Sequence, residues 1–315
     1  MVYMMMKSFM LKMDDGYELC LNRWQPDSDA EIKGVIQLHH GLAEHCLRYD
    51  RFGSVLAENG WVLNAYDMRG HGRSAENAER NGTGIFGKLA DKKGFNRAVS
   101  DLNAVIENLK NDFPGKKTVL MGHSLGSFDS QGFIEEYGSK IDACILCGTA
   151  GPRPVLIGMG NLVTHIVTFF SGKNKIVPFL DKLSFGNYNA RIPNPRTEYD
   201  WLSVNELNVD MYKMDNWCGF PLTASFFCSM TEGLSKIHKS KNIKKIPSSL
   251  PVFFIWGSED PVGSYGVSIK KLIEIYKSNG MKVDYKEYPG DRHEILNEND
   301  KETVENDIIE WVGKL

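Results

Sequence analysis

The ten residues VLMGHSLGSF, from Val119 to Phe128, constrain the fold more than any other stretch of the chain. An apolar run leads into Ser124, with Gly122 two residues before it and Gly126 two after. If the run is a buried strand and a helix follows at once, the chain must reverse at the serine. The corner residue is then forced to positive φ, which costs a non-glycine residue about 1–3 kcal/mol. Side chains two residues either side of the corner would collide across the bend, and glycine removes both. The hydroxyl is left exposed above the sheet, in the arrangement known as a nucleophile elbow. A helix N-cap serine in a glycine-rich turn uses the same residues, so the rest of the chain has to decide.

The flanking pattern alternates strand and helix. SFMLKM and YELCLNRW read as a hairpin around Asp14-Asp15-Gly16. GVIQLHH (34–40) and WVLNAYDM (61–68) read as strands, with a helix from Tyr49 to Glu58 between them that stops at Asn59-Gly60. A polar, glycine-rich stretch runs from Arg69 to about Gly94. Val99, Leu102, Val105, Ile106 and Leu109 then fall on one helical face, closed by Pro114-Gly115. A helix from Leu125 to Tyr137 and the strand IDACILC follow the elbow. From 151 to 246 the alternation stops. It resumes with PVFFIWG (251–257), a helix near Val267–Lys277, the strand KVDYKEY (282–288) and a helix from about Thr303 to Val312. The expected organisation is an α/β core made of 1–150 and 247–315, its mostly parallel sheet flanked by helices, with a mainly helical cap inserted at 151–246.

Composition narrows the class. The chain has 315 residues, 42% of them apolar and 24% charged, with a net charge of −3. That balance gives no basic face to recruit nucleic acid by bulk charge. The start, MVYMMMKSFMLKM, has no apolar core of leader-peptide length and no small-residue cleavage site, and no apolar run approaches 20 residues, so a cytoplasmic protein is expected. Cys144 and Cys147 form a C-x-x-C, but residues three apart on a strand point to opposite faces, so core packing is expected rather than a shared metal.

A serine hydroxyl is a poor nucleophile unless a base takes its proton and a carboxylate orients that base. On this type of sheet the chain order is serine, acid, histidine. The acid expected at the end of PVFFIWGSED is Asp260, and of the eight histidines only His293, in YPGDRHEIL, lies beyond it. Glu259 and Asp291 are the rival carboxylates; the first points elsewhere at a strand end, and the second suits a turn. An oxyanion hole needs two backbone N–H groups, one from Leu125 after the serine and one from the HHGLAEH loop, where Gly41 allows a turn that aims the N–H of Leu42 inward. His39, His40 and His45 cluster there with Glu44 but lack any zinc-protease spacing. No metal or other cofactor is expected, and His40 is expected to brace the loop.

HHGLAEHCLRY, DMRGHGRS, GHSLG, GSEDPV and RHEILNE together resemble the monoacylglycerol lipase and lysophospholipase group of α/β hydrolases. The likeness starts at about residue 34 and extends into RTEYDWLS, VDMY and CGFPLTASFF, which resemble the caps of bacterial members. It implies Ser124 as nucleophile, Asp260 as acid, His293 as base and Leu42 and Leu125 as oxyanion donors, with Asp67, Arg69 and His71 bracing a loop. It further implies hydrolysis of a monoacylglycerol or similar single-chain lipid ester. Lysophospholipase, short-chain carboxylesterase and transacylase activities would use the same machinery, and a non-catalytic ligand receptor would need a broken triad. N-terminal peptidases of this kind usually carry Trp after the serine, where this chain has Leu125. The most apolar stretch, VLIGMGNLVTHIVTFF (155–170), places Met159, Leu162, Val163, Ile166, Val167 and Phe170 on one helical face. That face is expected to pack on the core, to wall an acyl-chain pocket, or to touch lipid aggregates.

Overall fold

The computed structural model describes residues 5–27 and 32–315. Strands β1 (Met5–Lys12) and β2 (Glu18–Gln25) form the expected hairpin. β3 (Gly34–His39), α1 (Asp50–Glu58), β4 (Trp61–Tyr66), α2 (Gly72–Arg80) and α3 (Gly94–Asp112) follow. Next come β5 (Lys117–His123), α4 (Leu125–Tyr137) and β6 (Ala143–Cys147). Among the described residues, eight strands lie in the order β1-β2-β4-β3-β5-β6-β7-β8, with β7 (Val252–Gly257) and β8 (Val283–Tyr288) at the far edge. The pairs involving β2 are antiparallel and the remaining ladders are parallel. This is the α/β-hydrolase fold.

Period-2 alternation splits each central strand between two apolar layers. On β5, Leu120 joins the layer with Leu102 and Ile106 of α3 and Phe133 of α4. Val119 and Met121 join the layer with Phe52 and Leu56 of α1 and with Val304 and Ile308 of α11 (Lys301–Val312). Cys144 and Cys147 likewise fall in opposite layers, as their spacing on β6 requires. Helix α10 (Val267–Ser278) covers the first layer through Ile269 and Leu272.

Helix α2 was not expected. It buries Ser74, Ala75 and Ala78 rather than bulky residues, so no hydrophobic stripe marks it in the sequence. Its start is fixed by Asp67, whose Oδ2 accepts the N–H of Arg73 and whose Oδ1 accepts that of Cys46.

Between β6 and β7 the chain supplies α5 (Pro154–Ser171), α6 (Pro178–Phe185), α7 (Glu206–Met214), α8 (Ala224–Ile237) and α9 (Ser240–Ile243). α8 lies on α3 and α4. Gly233 of α8 and Gly132 of α4 close on the Phe95 ring, where a Cβ at either position would stand 2.0 or 2.9 Å from it.

Helix α5 rests on α8 by its polar side. Thr168 Oγ1 donates to the Ala224 carbonyl at 3.1 Å, and Thr164 and Thr231 share a hydroxyl contact of 3.1 Å. Of the apolar face, Val163 and Val167 pack on the core, and Met159 and Val163 also line a cavity. Met159, Leu162, Ile166 and Phe170 are exposed, together with Val155 and Phe169. At 18 residues and a mean hydropathy of 1.4, α5 is longer than expected and is long and apolar enough to cross a membrane by length and composition. Its polar bonds to α8 hold it along the protein surface.

Candidate active site

The corner at Ser124 has the strained geometry that its neighbours in sequence imply, with φ 52° and ψ −119°. A Cβ on Gly126 would lie 2.0 Å from the His39 carbonyl oxygen, and one on Gly122 would lie 2.4 Å from that of Gly126. Both glycines are therefore required by backbone approach. The Ser124 N–H donates to the Cys147 carbonyl at 3.0 Å, which ties the corner to the end of β6.

Asp260 and His293 come from the loops after β7 and β8. They meet in a fully buried contact, with His293 Nδ1 donating to Asp260 Oδ2 at 2.9 Å. Asp260 Oδ1 accepts the N–H of Val262, so both carboxylate oxygens are held. With Nδ1 engaged, His293 Nε2 is buried and has no protein partner. Burial disfavours the charged ring, but the Asp260 carboxylate outweighs it, and His293 is raised above the ordinary imidazole value. The neighbouring ring of His123, with its centroid 4.7 Å away, is pushed down to about 4 by burial and by His293 itself. His293 is thus the imidazole of the pair that can carry a proton near neutrality.

The rival carboxylates are elsewhere. Glu259 is exposed. Asp291 is pushed up to about 7 by burial and by Glu298 and Asp300, which makes it a poor counter-charge for an imidazolium.

The loop after β3 is braced from several sides. His40 donates from Nδ1 to the Gly41 carbonyl at 2.7 Å and accepts the Met68 N–H on Nε2 at 3.0 Å, the bracing role expected of it. Glu44 accepts the Gly41 N–H at 2.5 Å and the Tyr49 hydroxyl at 2.9 Å. Ala43 is held at φ 49°, its carbonyl accepting the Tyr212 hydroxyl and the Gly219 N–H, each at 2.9 Å. A Cβ on Gly41 would stand 3.2 Å from Ser124 Cβ, so this loop lies directly against the elbow. Among the described residues, the N–H groups of Leu42 and Leu125 have no protein acceptor. Asp67, Arg69 and His71 act within the neighbouring loop: Arg69 pairs with Asp101, and His71 Nδ1 donates to the Arg69 carbonyl.

Behind this loop lies a buried charge cluster that no motif in the sequence marks. Arg48 forks onto both carboxylate oxygens of Glu294 (2.5 and 2.7 Å) and also donates to Glu44 at 2.8 Å. It therefore links the Gly41 loop to the residue after His293. The i,i+4 spacing of Glu44 and Arg48 was visible in HHGLAEHCLRY, but the partner 246 positions away was not.

Ser124, His293, Leu42 and Leu125 all line one cavity of about 890 Å³. Its remaining wall is largely apolar and comes mostly from the segment between β6 and β7, including Leu156 and Val163 of α5, Phe185 of α6 and Leu234 of α8, with Phe128 and Val262 from the core. Next to Glu44 and Gly219 of the cavity lining, His45, Asp215 and Cys218 form a group that could hold a metal ion.

A model of the family described as serine aminopeptidase, S33, matches residues 30–300. The monoacylglycerol lipase of Mycolicibacterium smegmatis is 25% identical over 94% of this chain and 93% of its own. The monoglyceride lipase homolog of Monkeypox virus is 30% identical over 96% of each chain. A thermostable carboxyl esterase from Bacillus coagulans superimposes with a TM-score of 0.90 at 26% identity, covering 98% of both chains. With this match across most of its length, the chain belongs to the serine aminopeptidase S33 family of α/β hydrolases.

Proposed function

We propose that the protein is a serine esterase that hydrolyses monoacylglycerols or similar single-chain lipid esters through an acyl-enzyme on Ser124. The observation that carries this reading is the cavity that holds Ser124 and His293 at its base and is walled by apolar cap residues. In this scheme His293 Nε2 takes the proton of Ser124 as its oxygen attacks the ester carbonyl. Asp260 holds the ring in the required tautomer and stabilises the imidazolium. The N–H groups of Leu42 and Leu125 receive the oxyanion, and His293 then protonates the departing alcohol. Water, activated by the same imidazole, releases the fatty acid. The core is assigned to 1–150 and 247–315 and the cap to 151–246.

The family's description names a peptidase, yet an apolar cavity of about 890 Å³ suits an acyl chain, and the relatives named above are lipases and an esterase. The test is a hydrolysis panel that varies acyl length and head group independently. Each methylene buried is worth about 0.8 kcal/mol, so kcat/KM should rise about fourfold per methylene until the cavity is full. Monoacylglycerols are expected to exceed lysophospholipids and short-chain esters of equal solubility by tenfold or more. A preference for lysophospholipids would move the assignment to that neighbouring activity, and a flat response to acyl length would remove the lipid reading.

We place the protein in the cytoplasm, a setting consistent with its six free thiols. We also assign the outer face of α5 to transient contact with lipid. It presents Val155, Met159, Leu162, Ile166, Phe169 and Phe170 together, with Phe169 82% and Phe170 81% exposed. Large exposed apolar patches mark interaction surfaces, and an apolar face with its polar side held inward fits a membrane interface. Replacing both phenylalanines with serine should lower partition onto phosphatidylcholine vesicles at least tenfold, with hydrolysis of a water-soluble short ester kept within about twofold. Unchanged partition would remove the lipid-contact role.

A further inference from the structure

We propose that His45, Asp215 and Cys218 form a zinc-binding site that joins the loop after β3 to the segment between α7 and α8. One ligand atom from each residue lies within 4.8 Å of the other two. The donor set of imidazole, carboxylate and thiol is the one that selects zinc among the common divalent ions. Around a tetrahedral zinc, bond lengths of about 2.0–2.3 Å place ligand atoms about 3.3–3.6 Å apart. His45 Nε2 and Asp215 Oδ2 now stand 2.8 Å apart. The ligand atoms thus lie within about 1.5 Å of the spacings zinc requires.

His45 is almost wholly buried and turns its Nε2 toward Asp215, so an imidazole nitrogen already faces the carboxylate with which it would share the ion. Asp215 is about one-third exposed, so an ion can enter and water can complete the shell. On binding, Cys218 releases its thiol proton to solvent and ligates as thiolate.

The site has a structural consequence. Ala43, two residues before His45, already receives hydrogen bonds from Tyr212 and Gly219. Zinc would replace the His45–Asp215 hydrogen bond, a contact between residues 170 apart in sequence, with a coordinated cross-link. That separation is why no local metal spacing appears in the sequence.

The test is competition for Zn²⁺ between the full chain and a chromophoric chelator, with Co²⁺ as a spectroscopic substitute. The native chain should take up one equivalent of zinc, show a thiolate-to-cobalt charge-transfer band, and melt at higher temperature with zinc present. Cys218→Ser and Asp215→Asn should each weaken binding at least tenfold and lose the zinc-dependent rise in melting temperature, whereas Cys228→Ser should bind like the native chain. Should Cys218→Ser fail to fold, Asp215→Asn and the cobalt spectrum of the native chain decide. No uptake at micromolar zinc, absence of the charge-transfer band, or native affinity in both variants would overturn the proposal.

Discussion

Ser124→Ala is expected to lower kcat/KM for ester substrates by at least about 10⁴-fold, because losing a triad nucleophile leaves only the contribution of substrate binding and oxyanion donors. The fold should survive, since the hydroxyl is not what holds the corner. The bend is fixed by Gly122 and Gly126 and by the Ser124 N–H bond to Cys147. Ser124→Gly separates strain from chemistry. At φ 52° and ψ −119° a residue with a Cβ costs about 1–3 kcal/mol, whereas glycine adopts the conformation freely. Against this gain, glycine adds about 0.4–1 kcal/mol of unfolded-state entropy. Strain relief is the larger effect, so Ser124→Gly should be as inactive as Ser124→Ala and melt a few degrees higher. Near-native ester hydrolysis by either variant would falsify the assignment of Ser124.

Much of this arrangement was legible in the sequence because it rests on local steric rules. The two glycines around Ser124 announce the corner, and the unbroken apolar runs VLMG and ACILC announce strands buried on both faces. His293 could be reached by elimination, since it is the only histidine after Asp260. What stayed hidden depends on contacts between distant segments. Helix α2 packs through alanine and serine, too small to register as an apolar stripe. Arg48 has its strongest partner at Glu294, which no spacing rule connects to it. Periodicity located the apolar face of α5 but could not give its direction. The hydroxyls of Thr164 and Thr168 find partners on α8, so the polar side is the buried one, and most of the apolar side is left to solvent.

Asp260→Asn tests how this buried pair sets the pH range of the reaction. Asparagine is nearly isosteric, so the loop after β7 should keep its shape and the Val262 N–H its acceptor. Its amide, however, can donate to His293 Nδ1, which favours the tautomer with the proton on Nε2, the wrong nitrogen for accepting from Ser124. A loss of about 10⁴-fold in kcat is therefore expected. The pH profile should change as well. In the proposed mechanism His293 must be neutral to act as base, and Asp260 raises its pKa despite burial. Activity should therefore be lost on acidification through an apparent pKa above the ordinary value of about 6.5. With the carboxylate removed, burial acts without its main opponent, and the acid limb of the residual activity should move to lower pH. A purely structural role for Asp260 would lower activity and leave the limb in place. A native profile flat from pH 5 to 8, or an unshifted limb in the variant, would break the link between Asp260 and His293 on which the proposed proton transfer depends.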